Sequence, residues 1–306
     1  MQKVILFYLF TPISDPQAIM LWQKTLTGHL GLKGRIIISK DGINGTVGGP
    51  VDALKAYIKN NKQFSSFNSI SYKWSDSPSD TPFPKMSVKV REEIVTFGAK
   101  SELKVSPDGL EGGGQRLKPK ELHKLIEEKG RDEVVFFDGR NNYEAEVGRF
   151  KNAITPKART TKDFIPILDS GLYDNLKDKP VVTYCTGGIR CEVLSVLMKN
   201  RGFKEVYQLD GGIVRYGEEY GDQGLWEGEL YIFDGRMGLK FSPDSKDIGH
   251  CIHCQSETSN YENCALKSCN DLVLICRNCQ NDQDKLFHSA TCRSQAKADQ
   301  LSLVKS

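Results

Sequence analysis

VVTYCTGGIRCE, residues 181–192, decides how the middle of this chain is read. Its first four residues suit a central parallel strand buried on both faces, and the run stops at Cys185. Thr186, Gly187, Gly188 and Ile189 then turn tightly into Arg190 and a helix carrying Val193, Leu194, Leu197 and Met198. A strand that passes through a glycine-rich turn into a helix forms an anion cradle. Successive amide N–H groups point inward, and the helix N-terminus adds partial positive charge. A thiol held there ionises more readily, and the Arg190 guanidinium adds a full charge nearby. Cys185 is therefore the candidate nucleophile, with Arg190 beside it. The competing reading is an inert packed cysteine, against which the two glycines and the arginine weigh.

Two further apolar runs, VVFFDGR (134–140) and VYQLDGG (206–212), alternate with helical patterns near Pro119 and in TTKDFIPILDSG (160–171). That order implies a doubly wound parallel sheet over 118–222, with its site at the carboxyl ends of the strands. Between Cys185 and Arg190 stand four residues, one fewer than thiol phosphatases use to encircle phosphate, so the cradle suits a smaller group such as a persulfide sulfur. CTGGIR after VVTY resembles the active loop of rhodaneses, and DGRNNYEAEVGRFKNAI (138–154) resembles their aspartate-x-arginine segment. On that resemblance Asp138, Arg140 and Glu144 match the segment's polar positions as supporting residues, and Arg140 or Glu144 could orient the loop or the substrate, with plain surface ion pairing as the competing reading. Cys191 is read as a supporting residue, a resolving cysteine or a packed one.

The amino-terminal segment, 1–98, reads strand, helix, strand, strand, helix, strand. KVILFYLF (3–10) is an apolar run. Ser14, Asp15 and Pro16 offer a helix cap and a first-turn proline, with Gln17 completing a capping box from Ser14, before Ile19, Met20 and Trp22. RIIIS (35–39) leads into KDGINGTVGG (40–49), whose Asp-Gly and Asn-Gly pairs favour a reversal. Pro50 opens a helix with Leu54, Tyr57 and Ile58 on one side, and SISYKW (69–74) alternates as a half-buried strand. This is the split βαβ pattern of ferredoxin-like domains. MSVKVREEIVTFG (86–98) adds a strand, and Lys85, Lys89 and Arg91 could form a phosphate-facing edge there, a solvated face being the plainer alternative. Residues 1–98 carry 12 Lys plus Arg against 7 Asp plus Glu, an excess of five that suggests a polyanionic substrate beside the reactive cysteine, although from charge alone the plainer reading is that it keeps a small domain soluble. Residues 99–117, rich in glycine and poor in apolar side chains, read as a linker.

Seven of the nine cysteines fall in the last segment, 223–306. Cys251 and Cys254 form one CxxC pair and Cys276 and Cys279 a second, a spacing that can supply four thiolates to one tetrahedral zinc, although spacing does not allocate the ligands among sites and disulfides or a redox relay to Cys185 are the competing readings. Cys264, Cys269 and Cys292, with His288, could form a second site; His250 and His253 are spare candidates. LWEGELYIFDGRMGLKF (225–241) reads as a hairpin turning at Asp234 and Gly235 that docks this small module. No apolar run is long enough for a bilayer, and the first residues read as a strand and not as a signal peptide, so a reducing cytoplasm is expected.

Taken together, DGINGTVGG, YCTGGIRCE, WEGELYIFDGR and the cysteine tail resemble the TrhO family of tRNA uridine-34 hydroxylases over nearly the whole chain. The resemblance implies oxygen-dependent conversion of the wobble uridine in the tRNA anticodon to 5-hydroxyuridine, with Cys185 as the required cysteine. No motif for an organic cofactor is evident. Two other readings stand beside it: a persulfide-forming sulfurtransferase using the same cysteine, and a zinc-dependent RNA-binding adaptor without catalysis. Oligomeric state is not legible.

Overall fold

The computed structural model describes residues 2–77, 83–232 and 238–303. The first domain contains β1 (Gln2–Phe10), α1 (Pro16–His29), β2 (Lys33–Ser39), β3 (Gly42–Pro50), α2 (Val51–Asn61), β4 (Ser71–Asp76) and β5 (Met86–Val90). Its sheet runs β4-β1-β3-β2-β5, antiparallel except where β5 pairs with β2, which is the expected ferredoxin-like arrangement with one added strand. Strand periodicity sorts the side chains onto two faces. Ile5, Phe7, Ile36, Ile38, Ile43 and Val47 form a core with Leu54 and Tyr57 of α2. The opposite face carries a row aligned by register as Lys73, Leu6, Thr46, Arg35 and Ser87. Tyr8 and Asn44 follow in the next row.

Two local expectations shift. The cap of α1 is Asp15, not Ser14; its carboxylate accepts the Ala18 amide at 2.9 Å. The β2–β3 reversal uses only Lys40 and Asp41, so Asn44-Gly45 lies inside β3 and not in a turn. There Gly45 leaves room for the Phe7 ring: a Cβ would stand 2.4 Å from Phe7 Cζ.

Residues 99–117 are not a free spacer. β6 (Val105–Ser106) and β7 (Gly109–Leu110) make a short hairpin, and β8 (Gln115–Leu117) becomes the edge of the next sheet. The few apolar side chains here all pack in the second domain, Ala99, Leu103, Val105 and Leu110 in one layer of its core and Leu117 in the other. Glu102 also accepts two hydrogen bonds from Arg201. Low apolar density concealed this order from the sequence.

The second domain continues with α3 (Pro119–Lys129), β9 (Val135–Asp138), α4 (Asn142–Val147), β10 (Gly148–Phe150) and α5 (Phe164–Asp169). β11 (Pro180–Tyr184), α6 (Ile189–Asn200), β12 (Glu205–Leu209) and α7 (Gly212–Tyr220) complete it. The sheet order β8-β12-β11-β9 is parallel throughout. Phe137 and Val181 face α5 and α6, while Phe136, Val182 and Tyr184 face α3 and α7, so apolar layers cover both sides as the continuous strand sequences require. The first layer extends without a break into Phe10, Ile94 and Phe97 of the amino-terminal segment, which fastens the two domains together.

The carboxyl-terminal module contains β13 (Trp226–Gly228), β14 (Leu230–Tyr231), β15 (Gly238–Leu239), β16 (Tyr261–Asn263), β17 (Leu272–Leu274), α8 (Arg277–Gln280) and α9 (Ala290–Leu303). β13 pairs with β10, and Tyr261 donates to the Tyr143 carbonyl at 2.5 Å, so this module packs on α4. β14 pairs with β15 as the hairpin reading expects; its turn at Asp234 and Gly235 lies outside the described residues. Among the described residues no helix is long and apolar enough to cross a membrane.

Gly45→Ala should lower the denaturation midpoint, by about 1–3 kcal/mol of overpacking against Phe7. A midpoint equal to that of the unsubstituted chain in urea would show that this approach carries no strain.

Candidate active site between two domains

Cys185 directly follows β11 and is 0 % exposed. The turn after it depends on Gly188, which adopts φ +102°, a left-handed value that glycine alone takes at little cost. That conformation aims the Gly188 amide at the Cys185 sulfur, 3.1 Å away. The start of α7 holds the loop from the other side: the Ile213 and Val214 amides donate to the carbonyls of Cys185 and Thr186 at 2.9 and 3.1 Å. The cradle inferred from strand, glycines and helix is therefore built, with the sulfur at its centre.

Burial by itself pushes the Cys185 thiol up. The Cys191 thiol, the Arg190 charge and the amides of Cys191 and Gly188 outweigh it and bring the group down to about 5. Burial, then the adjacent Cys185 sulfur, pushes the Cys191 thiol well above its usual value. Of the two, Cys185 is the one whose ionised form these surroundings favour.

Arg190 does not reach outward. Its guanidinium grips Glu144 at 2.5 and 2.8 Å and Thr186 Oγ1 at 3.2 Å. Glu144 also accepts the Asn141 amide at the start of α4. Arg140 is fully buried, binds both oxygens of Asp138 and the carbonyls of Glu144 and Gly148, and lies 5.2 Å from the Trp226 ring. Asp138, Arg140 and Glu144 thus converge, as a brace beneath the loop and not as groups open to a substrate.

The loop faces a cleft of about 600 Å³ whose opposite wall is the helix-free face of the first sheet. Cys185, Thr186, Gly187, Ile189 and Arg190 line one side; Tyr8, Thr46, Arg35 and Lys73 line the other. Tyr8 donates to buried Glu192 at 3.1 Å, and Lys73 donates to the Gly187 carbonyl. The sequence reading missed Tyr8, Lys73 and Glu192. The alternation in SISYKW does place Lys73 opposite Tyr72 and Trp74, but nothing in it names the loop as what that face meets. Of the three basic residues singled out near β5, Lys85 lines the cleft; Lys89 and Arg91 are exposed away from it, with Arg91 bonded to the Val90 carbonyl.

The cysteine tail gathers into two clusters. Cys251, Cys254, Cys276 and Cys279 have sulfurs within 4.8 Å of one another, and so do Cys264, Cys269 and Cys292. His288 Nδ1 lies 3.7 Å from the Cys269 sulfur and 3.8 Å from that of Cys292. Four ligands at tetrahedral zinc distances stand about 3.8 Å apart, so these donor sets can hold a metal ion. His250 and His253 belong to neither cluster and bond backbone carbonyls instead.

Alkylation of Cys185 by iodoacetamide should reach half its maximal rate near pH 5, because that is where the sulfur loses its proton. Cys191→Ala removes a donor to the thiolate and should move that midpoint upward. A midpoint in the ordinary cysteine range in the unsubstituted protein would contradict the cradle.

Family models match three stretches: a UPF0176 acylphosphatase like domain over residues 2–94, a Rhodanese-like domain over 118–219 and a Rhodanase C-terminal domain over 227–294. A tRNA uridine(34) hydroxylase of Corynebacterium jeikeium is 59 % identical over 290 residues, covering 95 % of this chain and 92 % of its own. One from Arthrobacter sp. is 59 % identical, covering 94 % and 97 %. One from Pseudarthrobacter chlorophenolicus is 60 % identical, covering 95 % and 99 %. With such identity sustained across all three stretches, the chain belongs to the tRNA uridine(34) hydroxylase family.

Proposed function

We propose that this chain hydroxylates uridine 34, the wobble position of the tRNA anticodon, to 5-hydroxyuridine in the cytoplasm. The reading is carried by relatives about 59 % identical over almost the full length that bear that activity in their names. The cleft agrees with it chemically. A thiol brought down to about 5 is ionised at neutral pH, and it stands at the wall of a space of nucleotide size.

In this reading Cys185 attacks C6 of a uracil turned out of the anticodon stack, which builds negative charge toward C5, the carbon that must be oxygenated. Molecular oxygen is the co-substrate. Thr186, Gly187, Gly188 and Ile189 hold the sulfur in place; Arg190, with Glu144, Asp138 and Arg140 behind it, fixes the loop. Lys85 meets the RNA backbone at the far end of the cleft, and Lys89 and Arg91 extend that basic edge outside it. Cys191 serves as donor to the thiolate.

The cysteine clusters are assigned to zinc in a structural role. Thiolate and imidazole donors suit that ion, and so small a module gains much of its folding free energy from it. The module packs on α4, which carries Glu144, so metal loss is felt at the loop. Purified protein should contain about two zinc ions per chain, and Cys251→Ser should remove one. Protein free of metal that retains its fold would overturn this assignment.

The activity is tested by the nucleoside content of tRNA from cells carrying the wild-type chain or Cys185→Ser. Loss of 5-hydroxyuridine and its derivatives with the variant is expected. Loss of a thiolated base in its place would favour the persulfide-transfer reading, and an unchanged pattern would remove the catalytic role of Cys185.

A further inference from the structure

Lys73 has no role in the site as described so far. It stands on β4 in the row that faces the cleft, half-buried, with its ammonium 5.5 Å from the centre of the Tyr8 ring. It donates a hydrogen bond to the Gly187 carbonyl, two residues beyond the reactive sulfur. An ammonium has three donors, so a single carbonyl leaves capacity for another acceptor.

The neighbouring cations are differently placed. Arg190 is held by both oxygens of Glu144, Arg116 pairs with Glu192 at 2.6 Å, and Arg215 pairs with Asp210. Among the described residues no carboxylate lies within ion-pair distance of Lys73. Arg35 and Lys85 also line the cleft without an ion pair among the described residues, but Arg35 stands three strands along the row, and the unmatched cation that touches the loop is Lys73, supplied by the other domain. Burial lowers the basicity of this lysine, while the Cys185 thiolate, Asp210 and Glu192 raise it and Arg215 lowers it.

Thiolate addition to uracil creates a need for such a charge. As the C6–S bond forms, the C5=C6 π pair moves toward the C4 carbonyl and leaves an enolate. No electron is gained or lost, but the negative charge travels from sulfur to oxygen. A cation placed for that oxygen in the cleft stabilises the product of this step more than the starting pair.

We propose that Lys73 is a catalytic residue: its ammonium binds a carbonyl oxygen of the uracil and holds the charge that attack by Cys185 moves onto the ring. The proposal rests on the uridine reading above. It assigns the amino-terminal domain a chemical role in addition to RNA binding, since the site is incomplete without β4.

The experiment compares the full-length wild-type chain, Lys73→Met, Lys73→Arg, Cys185→Ser and Lys62→Met, the last a charge loss at the end of α2. Three quantities are read: 5-hydroxyuridine in cellular tRNA, affinity for unmodified tRNA, and the alkylation rate of Cys185. Loss of an oxyanion donor costs roughly 10²-fold, so Lys73→Met should lose modification on that scale while tRNA affinity and alkylation stay within a few-fold of wild type. Lys73→Arg should keep part of the activity and Lys62→Met all of it. Wild-type modification by Lys73→Met overturns the proposal, as does a parallel fall in Cys185 alkylation, which would make the role structural. If Cys185→Ser modifies tRNA normally, the uridine reading falls and Lys73 with it. If Cys185→Ser abolishes modification and Lys73→Met does not, only Lys73 falls.

Discussion

The buried ion pair between Arg190 and Glu144 is the constraint on which the site depends. Both groups are nearly or fully enclosed, and Glu144 reaches Arg190 only because α4 is fixed at its start by its own cap and at its end by Arg140. Removing one partner of such a pair typically costs about 3–5 kcal/mol, because the other is left charged and unmatched. The pair sets the direction of the loop, and the loop aims the Gly188 amide at the Cys185 sulfur. The tail module packs on the same helix through Tyr261, so the cysteine clusters and the loop that carries Cys185 share α4 as a common support.

A second constraint comes from the sheet of the first domain. Antiparallel sheets often leave one face to water, and here the open face meets the reactive loop instead. Tyr8 and Lys73 arrive on it from neighbouring strands and touch Glu192 and Gly187. The cleft exists only where the two surfaces meet. Apolar contacts through Phe10, Ile94 and Phe97 keep that meeting fixed, while the part left open is lined mostly by apolar side chains such as Leu6 and Ile37, with Lys73, Arg35 and Thr46 among them.

Much of this was legible in the sequence because it is local. Strand, glycines and helix around Cys185 lie within a dozen residues, and two CxxC pairs announce their own cluster. Short apolar runs and the alternation in SISYKW sufficed for the first sheet, and further apolar runs for β9, β11 and β12 of the second. What stayed hidden depends on partners distant in the chain. β8 looked like part of a linker because its strand character comes from pairing with β12, not from its own composition. Asn44-Gly45 looked like a turn, but Gly45 is needed where Phe7 crosses it. Arg140 looked able to orient a substrate, and only the packing reveals that Asp138 and two carbonyls enclose it. Tyr8, Lys73 and Glu192 carry no motif, since their meaning arises from the way one domain sits on another.

The central claim is that the sulfur of Cys185 bonds to the wobble base itself. An anticodon stem-loop carrying 5-fluorouridine at position 34, incubated with the full-length protein and digested for mass spectrometry, tests it directly. Fluorine at C5 hinders completion of the reaction, so the expected result is a peptide containing Cys185 with the nucleotide attached. Protein that modifies the natural stem-loop yet never forms this linkage would contradict the claim.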